Sequence, residues 1–465
     1  IKDSLHYFDV IKQEDLKEDM EIISNDQYVN LIFLNKDLCE YYLGLLDVYY
    51  SNYNDRSEYI ISSNIAGKEL NKKFETDFKL DEPRCEEFVS YNGLYRDFSY
   101  GNNSAEITAN LISVGFVEDR EKQINGLLQA ARDEYRPVKE NIAALWGLSL
   151  LDEPVLLETN AMYTKINGTS ETLSFEKMYM MLTFIENGEL QKAKEIYNDI
   201  KDNHVKQKHE MLYIDDADTG NKFTAMMMVA AIKLNNLEDA KGMYAHLQHK
   251  GEYKYPTITE RLYYLQNMKP KEYKASFKYE LDGKEETVSL GINRYHSLDL
   301  TKEQAGNIKF SEINGNVRVI KDFIGTVKDI EKTDKYNIER WYSSDASGED
   351  IKQGEIVTVH IKVNVLDNRL STFVLEDILP TGLTFIGKEK TNSDKLGVWA
   401  DNEARRTKLH VYVGWNYRMS DEYSFEITYK TKAVLAGEYI AEPIIIRDYM
   451  NDEITCSKEN VLKIK

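Results

Sequence analysis

Groups that hold metals, move protons or attack a carbonyl carbon are where chemistry would begin, and the densest set in this chain is Asp215-Asp216-Ala217-Asp218. Such neighbouring carboxylates suit a cation site or a cyclase-like acid cluster. The calcium-loop spacing fails, because Gly220 stands where another ligand belongs and no glutamate closes the loop. The same acids suit the start of a helix near Asn221, where free amides and the positive helix end stabilise carboxylates. A cap is the expected role. His204 and His209, with Glu210 following, miss the zinc-protease arrangement, which sets two histidines one helical turn apart with a glutamate beside the first. No serine sits in a nucleophile-elbow sequence, and no glycine-rich phosphate loop occurs. Cys39, Cys85 and Cys456 are too few and too scattered for a disulfide framework or a zinc site, and read as ordinary thiols. No catalytic group, metal or cofactor is assigned. Acid pairs for glycoside cleavage converge only in a fold, and 79 acidic residues supply candidates by chance alone.

The elements that would position any such group change character along the chain. Residues 1 to about 268 read as mostly helical. Leu38, Tyr41, Tyr42, Leu45, Leu46 and Tyr49 keep a helical spacing after a start at Asn35-Lys36-Asp37, and a second helix is predicted from Arg56 to about Lys72. Val89 to Asn103 is aromatic and glycine-bearing, which suits a loop or short hairpin. Ser104 is a cap candidate, and Pro137 sits where a first-turn proline is tolerated. Glu186–Ile200 and Lys233–Leu247 align without gaps, matching Leu190 with Leu237, Ala193 with Ala240 and Tyr197 with Tyr244. Each copy carries one apolar stripe and follows another apolar helix, so stacked helix pairs are expected. Two unrelated helices sharing a common pattern would look the same. Periodicity alone does not separate a closed α/α toroid from an open solenoid.

After Lys269-Pro270 the period falls to two residues. Ala275–Glu280 and Glu286–Ile292 flank Asp282-Gly283, a hairpin signal. In Gln353–Leu383, Val357, Val359, Ile361, Val363 and Val365 alternate with Thr358, His360, Lys362 and Asn364, the mark of a half-buried strand. We read this stretch as a sandwich edge with no reactive group of its own. Leu409, Val411 and Val413, then Tyr423, Phe425, Ile427 and Tyr429, alternate likewise, and last strands fall near 437–441, 444–446 and 461–464. About seven strands between turn signals predict a sandwich over roughly 330 to 465.

Composition limits partners. The 465 residues carry a net charge of −20 with no basic cluster, which argues against nucleic acid and anionic membranes. No apolar run approaches the roughly 20 residues needed to span a bilayer. The chain starts at Ile1, and is expected to be a fragment with any signal or anchor upstream. Tyrosine is abundant, 32 residues, with clusters at Tyr41-Tyr42, Tyr49-Tyr50 and Tyr263-Tyr264. These either fill core and boundary positions, the plainer account, or mark a recognition surface.

Several segments carry a family resemblance: Ile338-Glu339-Arg340-Trp341-Tyr342, Gln353-Gly354-Glu355-Ile356-Val357, Glu376-Asp377-Ile378-Leu379-Pro380-Thr381-Gly382-Leu383 and Ala436-Gly437-Glu438-Tyr439-Ile440. With the order of helices, β connector and sandwich, they resemble the C-terminal third of bacterial α2-macroglobulin-like proteins. Ser104–Ala109 and Asp218–Ala225 resemble helix starts of that family's thioester-type domain. The resemblance implies a multidomain α-then-β fold: an α/α toroid over 1–268, a CUB-like β half over 269–328, and a terminal β-sandwich over 329–465. The other CUB-like half would precede Ile1. Arg447-Asp448-Tyr449-Met450 resembles the tyrosine-bearing loop of the family's last domain with its two central residues reversed. By that resemblance Tyr449, Arg447 and Asp448 contact another domain or a partner.

The family's reactive bond joins a cysteine to a glutamine three residues later. Here Tyr42, Phe88 and Glu459 occupy those positions after Cys39, Cys85 and Cys456. Either the bond lies upstream or the chain belongs to a thioester-less branch, and the extent of the toroid favours the second. The resemblance implies a non-catalytic, extracytoplasmic protein of the bacterial envelope that binds or inhibits proteases. An alternative expectation is a carbohydrate-active enzyme with an acidic, aromatic-lined toroid cleft using Asp215, Asp216 or Glu210. A third is a surface adhesin or scaffold whose partners are host or envelope proteins.

Overall fold

The computed structural model describes residues 8–22, 27–51, 55–166, 172–208, 210–216, 218–248, 255–270, 273–330, 333, 335–344, 350–366, 373–388, 397–402, 408–414, 423–448 and 453–465. The chain opens with β1 (Phe8–Asp15) and β2 (Tyr28–Asn35), then turns helical. First come α1 (Lys36–Tyr50), α2 (Ser57–Phe74) and the short α3 (Glu82–Glu86). The hairpin of β3 (Tyr95–Arg96) and β4 (Asn103–Ser104) leads into α4 (Ala105–Ser113), α5 (Arg120–Arg132), α6 (Val138–Leu150) and α7 (Leu156–Lys165). There follow α8 (Phe175–Glu186), α9 (Leu190–His204), a hairpin of β5 (Val205–Lys208) and β6 (Met211–Ile214), α10 (Gly220–Lys233), α11 (Leu237–Gln248) and α12 (Ile258–Asn267).

The helices sort by how they are buried. α6, α8 and α10 are buried nearly all round, as helices apolar on every side must be, whereas α5 and α9 bury one stripe. α2, α4, α6, α8, α10 and α12 touch in that order, and α12 returns to α2, so the inner helices make a closed circuit. α1, α5, α7, α9 and α11 pack against this circuit. The sequence repeat corresponds to α8–α9 and α10–α11. Ala193 and Ala240 are fully buried and Tyr197 and Tyr244 nearly so, while Leu190 and Leu237 stay partly exposed at the helix starts. The Tyr197 hydroxyl donates to Asp239 at 2.8 Å, tying one pair to the next. The expected caps are present: Asn35 accepts from the Leu38 amide and Ser104 from that of Ile107.

One expectation needs correction. Residues 1–268 are not helical from the start, because β1 and β2 belong to the sheet that follows the ring. In β2, Val29, Leu31 and Phe33 are buried alternately with more open neighbours, a period-two pattern ahead of the Asn35 cap. After α12 come β7 (Ala275–Leu281), β8 (Lys284–Leu290), β9 (His296–Thr301), α13 (Lys302–Asn307), β10 (Lys309–Asn314) and β11 (Val317–Gly325). Asp282 and Gly283 both have positive φ, as the tight hairpin joining β7 to β8 demands. The sheets run β1-β11-β2-β9 and β10-β7-β8. Their cores merge through Phe33, Phe277 and Phe310, with the Phe33 and Phe277 rings 4.6 Å apart. The first of these sheets therefore takes two of its strands from residues ahead of the helices.

The terminal unit holds β12 (Tyr336–Ser344), β13 (Ile356–Val365), β14 (Phe373–Ile378), β15 (Leu383–Lys388), β16 (Gly397–Asn402), β17 (Lys408–Gly414) and β18 (Tyr423–Ala433). It closes with β19 (Gly437–Ala441), β20 (Ile445–Asp448), β21 (Glu453–Cys456) and β22 (Asn460–Ile464). Its sheets are β12-β13-β18-β15, β16-β17-β14-β20-β21 and β19-β22. Val359, Ile361 and Val363 of the first share a core with Leu375 and Ile446 of the second. β13 is central rather than an edge, a second correction: its fully buried valines need a partner strand on both sides.

Candidate functional site

The six inner helices bring their first turns toward one end of the circuit, and polar side chains there are linked across it. Glu58 of α2, Glu106 of α4, Lys139 and Glu140 of α6, Tyr179 of α8, Lys222 of α10 and Glu260 of α12 take part. Acids at helix starts follow from the dipole, which favours negative charge there. Lys222 and Lys139 oppose that rule, and their partners explain them. Lys222 Nζ donates to Glu260 Oε1 at 2.5 Å and to the Pro256 carbonyl at 3.0 Å. Lys139 Nζ donates to Glu106 Oε2 at 2.9 Å, and the Tyr179 hydroxyl donates to Oε1 of the same carboxylate at 2.9 Å. Glu140 accepts from the Ser104 hydroxyl and the Ala105 amide, capping the neighbouring helix.

Burial decides the charge states. Glu58, Lys222 and Glu260 are 3%, 2% and 4% exposed. Burial by itself would lower the Lys222 pKa, but Glu260, Glu58 and Glu106 outweigh it and hold the ammonium above its ordinary value. Glu58 is pushed up to about 7, first by burial, which Lys222 opposes, and further by Glu260. Its Oε1 accepts from Asn110 Nδ2 at 3.1 Å. The Tyr179 hydroxyl is driven well above the usual range by burial and then by Glu106 and Glu260. Glu58, Lys222 and Glu260 form the buried part of the network, while Glu106 and Glu140 are partly exposed.

The residues singled out by sequence lie elsewhere. Asp216 Oδ1 accepts from the amides of Asp218 and Thr219 and from the Thr219 hydroxyl, and these bonds lower its pKa. It organises the turn into α10 rather than capping the helix as expected, because the N-cap position is Thr219 and carries no side-chain cap bond. Asp215 is exposed and pairs with Lys206 across the β5–β6 hairpin at 2.6 Å. His204 ends α9, and Glu210 is exposed in the hairpin turn. His209 lies outside the described residues. Among the described residues no group of three His, Cys, Asp or Glu could hold a metal, and no helix is long and apolar enough to cross a membrane. A cavity of about 260 Å³ lies between α5, α6 and α7, lined by Leu128, Leu148 and Met162.

Arg447 and Asp448 lie in β20, opposite Val374 and Phe373 of β14. Arg447 Nε stands 4.0 Å from Glu376 Oε1. Tyr449 lies outside the described residues. Ile445 of β20 and Cys456 of β21 join the core of Val10 and Phe323. The ring-end network escaped sequence reasoning because acids in first turns are commonplace. The available signal was Lys222, a cation placed where the helix end is positive.

The chain thus combines a closed circuit of paired helices with antiparallel β units. Residues 329–453 match the family model described as "Bacterial Alpha-2-macroglobulin MG10 domain". The E. coli alpha-2-macroglobulin structure spanning domain MG7 to the C-terminus is 12% identical over 99% of this chain and 81% of that one, with TM-score 0.39. Trypsin-activated E. coli alpha-2-macroglobulin is 13% identical over 99% of this chain and 36% of that one, with TM-score 0.49. Salmonella alpha-2-macroglobulin reacted with methylamine is 14% identical over 99% and 34%, with TM-score 0.39. The chain corresponds to only 36% and 34% of the length of the last two. No curated protein sequence matches it.

Proposed function

We propose that the chain is part of a bacterial alpha-2-macroglobulin-like envelope protein that engages or inhibits proteases through conformational change and performs no catalysis of its own. The observation that carries this reading is the match of residues 329–453 to the MG10 domain. The closed circuit of inner helices supports an α/α toroid, and the core shared by the two larger terminal sheets supports a β-sandwich. On this reading the toroid runs from Lys36 to about Met268. Residues 8–35 join 273–328 in the CUB-like unit, and the sandwich takes 329–465. The proposal includes a thioester-less mechanism. Cys39, Cys85 and Cys456 are followed at the third position by Tyr42, Phe88 and Glu459, none of which offers a side-chain amide.

Trypsin, which activates the E. coli protein, is the natural probe. Full-length protein is mixed with trypsin, and its radius of gyration and the protease co-eluting with it are measured. The expected result is a change in compactness with trypsin retained. Cleavage with neither change nor retention would sink the reading. Recovery of the protein from the cytosolic fraction of its native cell would remove the envelope assignment.

A further inference from the structure

Three side chains on the terminal unit meet the geometric requirements of an activated nucleophile. β12, β13 and β18 are neighbours in one sheet, and Ser343, His360 and Glu426 share the face turned away from the core. The register sets Trp341 opposite His360 and Glu426 opposite Lys362, so Ser343 and Glu426 approach the imidazole along opposite diagonals. Ser343 Oγ lies 2.8 Å from His360 Nε2, and His360 Nδ1 lies 2.8 Å from Glu426 Oε1. The Trp341 ring stacks on the imidazole at 4.9 Å and 7°, which fixes its plane. Trp341 remains 39% exposed and offers an apolar ledge beside the serine. The group is assembled from three strands and is invisible in any one of them.

We propose that Ser343 is a nucleophile that accepts an acyl group covalently from a small activated ester whose apolar part lies against Trp341. His360 is the base and Glu426 the positioning residue. The Glu426 carboxylate accepts a hydrogen bond from Nδ1–H, which leaves the Nε2 lone pair facing the Ser343 hydroxyl, and Oγ donates to it. In the reaction the Oγ–C bond forms and the ester C–O bond breaks. The hydroxyl proton passes through Nε2 to the departing oxygen, which leaves as the alcohol, and Ser343 keeps the acyl group. No oxidant or further reactant is required. The step is stoichiometric and stands apart from the protease-engaging role.

The test uses the full chain and a fluorophosphonate probe, with labelled serines located by peptide mass spectrometry. There Oγ displaces fluoride from phosphorus, and the proton departs with it by way of His360. Ser424, exposed on the same sheet face, is the internal reference. The expected result is labelling of Ser343 roughly 100-fold faster than Ser424, the lower end of general-base assistance. His360→Gln removes that advantage and leaves Ser424 unchanged. Glu426→Gln slows labelling of Ser343, since the imidazole loses the acceptor that orients it, and Glu426→Asp restores the rate, with Ser424 unchanged in both. The other charged groups on this face, Glu339 of β12, Lys362 of β13 and Lys430 and Lys432 of β18, are unaltered in those variants. A second probe, p-nitrophenyl butyrate, should release p-nitrophenolate to one equivalent and leave a butyryl group on Ser343. Labelling of Ser343 no faster than Ser424 in the unmodified protein overturns the proposal, and that result does not depend on any variant folding.

Discussion

Replacing Glu58 by glutamine removes a charge that the ring end solvates badly and keeps an oxygen to accept from Asn110. The carboxyl is pushed from an ordinary 4.5 to about 7 in the fold, by burial against the opposing pull of Lys222. Its pKa is raised, so between those values the folded chain holds more protons than the unfolded one. The contribution of Glu58 is therefore fully present below 4.5 and is lost as pH rises through about 7. At 1.36 kcal/mol per pH unit the interval amounts to about 3 kcal/mol. Glutamine does not ionise, so Glu58→Gln should leave stability at pH 4.5 nearly unchanged and raise it by about 3 kcal/mol at pH 8. Urea unfolding followed by circular dichroism at 222 nm reads this out, because nearly all the helix lies in the ring. A variant no more stable than wild type at pH 8, or a difference independent of pH, would refute the reasoning.

Three further perturbations follow from the same structure. Lys222→Met strips the cation from Glu58, Glu260 and Glu106 and should cost about 3–5 kcal/mol at pH 8. The cost should shrink at pH 5 and on adding Glu260→Gln; equal losses at both pH values in urea titrations would count against the charge argument. Arg340 donates to Asp377 and to the Glu442 carbonyl, and the Tyr429 hydroxyl donates to the other Asp377 oxygen at 2.5 Å, all inside the terminal core. Arg340→Met should cost about 3–5 kcal/mol, and Arg340→Met with Asp377→Leu should recover at least half, measured by guanidinium unfolding of the β signal. Gly382→Ala places a Cβ on the Tyr439 ring in the turn after Pro380 and should cost about 1–3 kcal/mol by the same measurement.

Much of the architecture was legible because it is written in local periodicity. The α9 and α11 stripes, the Asp282-Gly283 hairpin and the alternating valines of β13 each need only a short window. β1 and β2 were not read, since their significance lies in pairing with β11 and β9, hundreds of residues later. The same limit hid both polar constellations. Asp215 and Asp216 stood out by adjacency and prove to be a surface ion pair and a turn acceptor. Glu58 and Glu260 converge only when the circuit closes, and Ser343, His360 and Glu426 only when three strands align.

The two buried charge systems differ in a way that bears on conformational change. In the terminal unit Arg340 and Asp377 are matched one to one, with Tyr429 completing the carboxylate. At the ring end burial, against the pull of Lys222, raises the Glu58 pKa to about 7. Acidification from pH 8 to 5 should therefore tighten the helical circuit while leaving the terminal core unaffected. Both neighbours meet the first β unit. Asn293 Nδ2 donates to the Phe74 carbonyl at the end of α2, while Ile445 and Cys456 sit in the core of Val10 and Phe323. Among the described residues, that β unit is packed against both partners. Hydrogen exchange at pH 5 and 8 should show protection changing in α2, α10 and α12 first, with β13 and β18 unchanged; equal changes in both units would defeat this ordering.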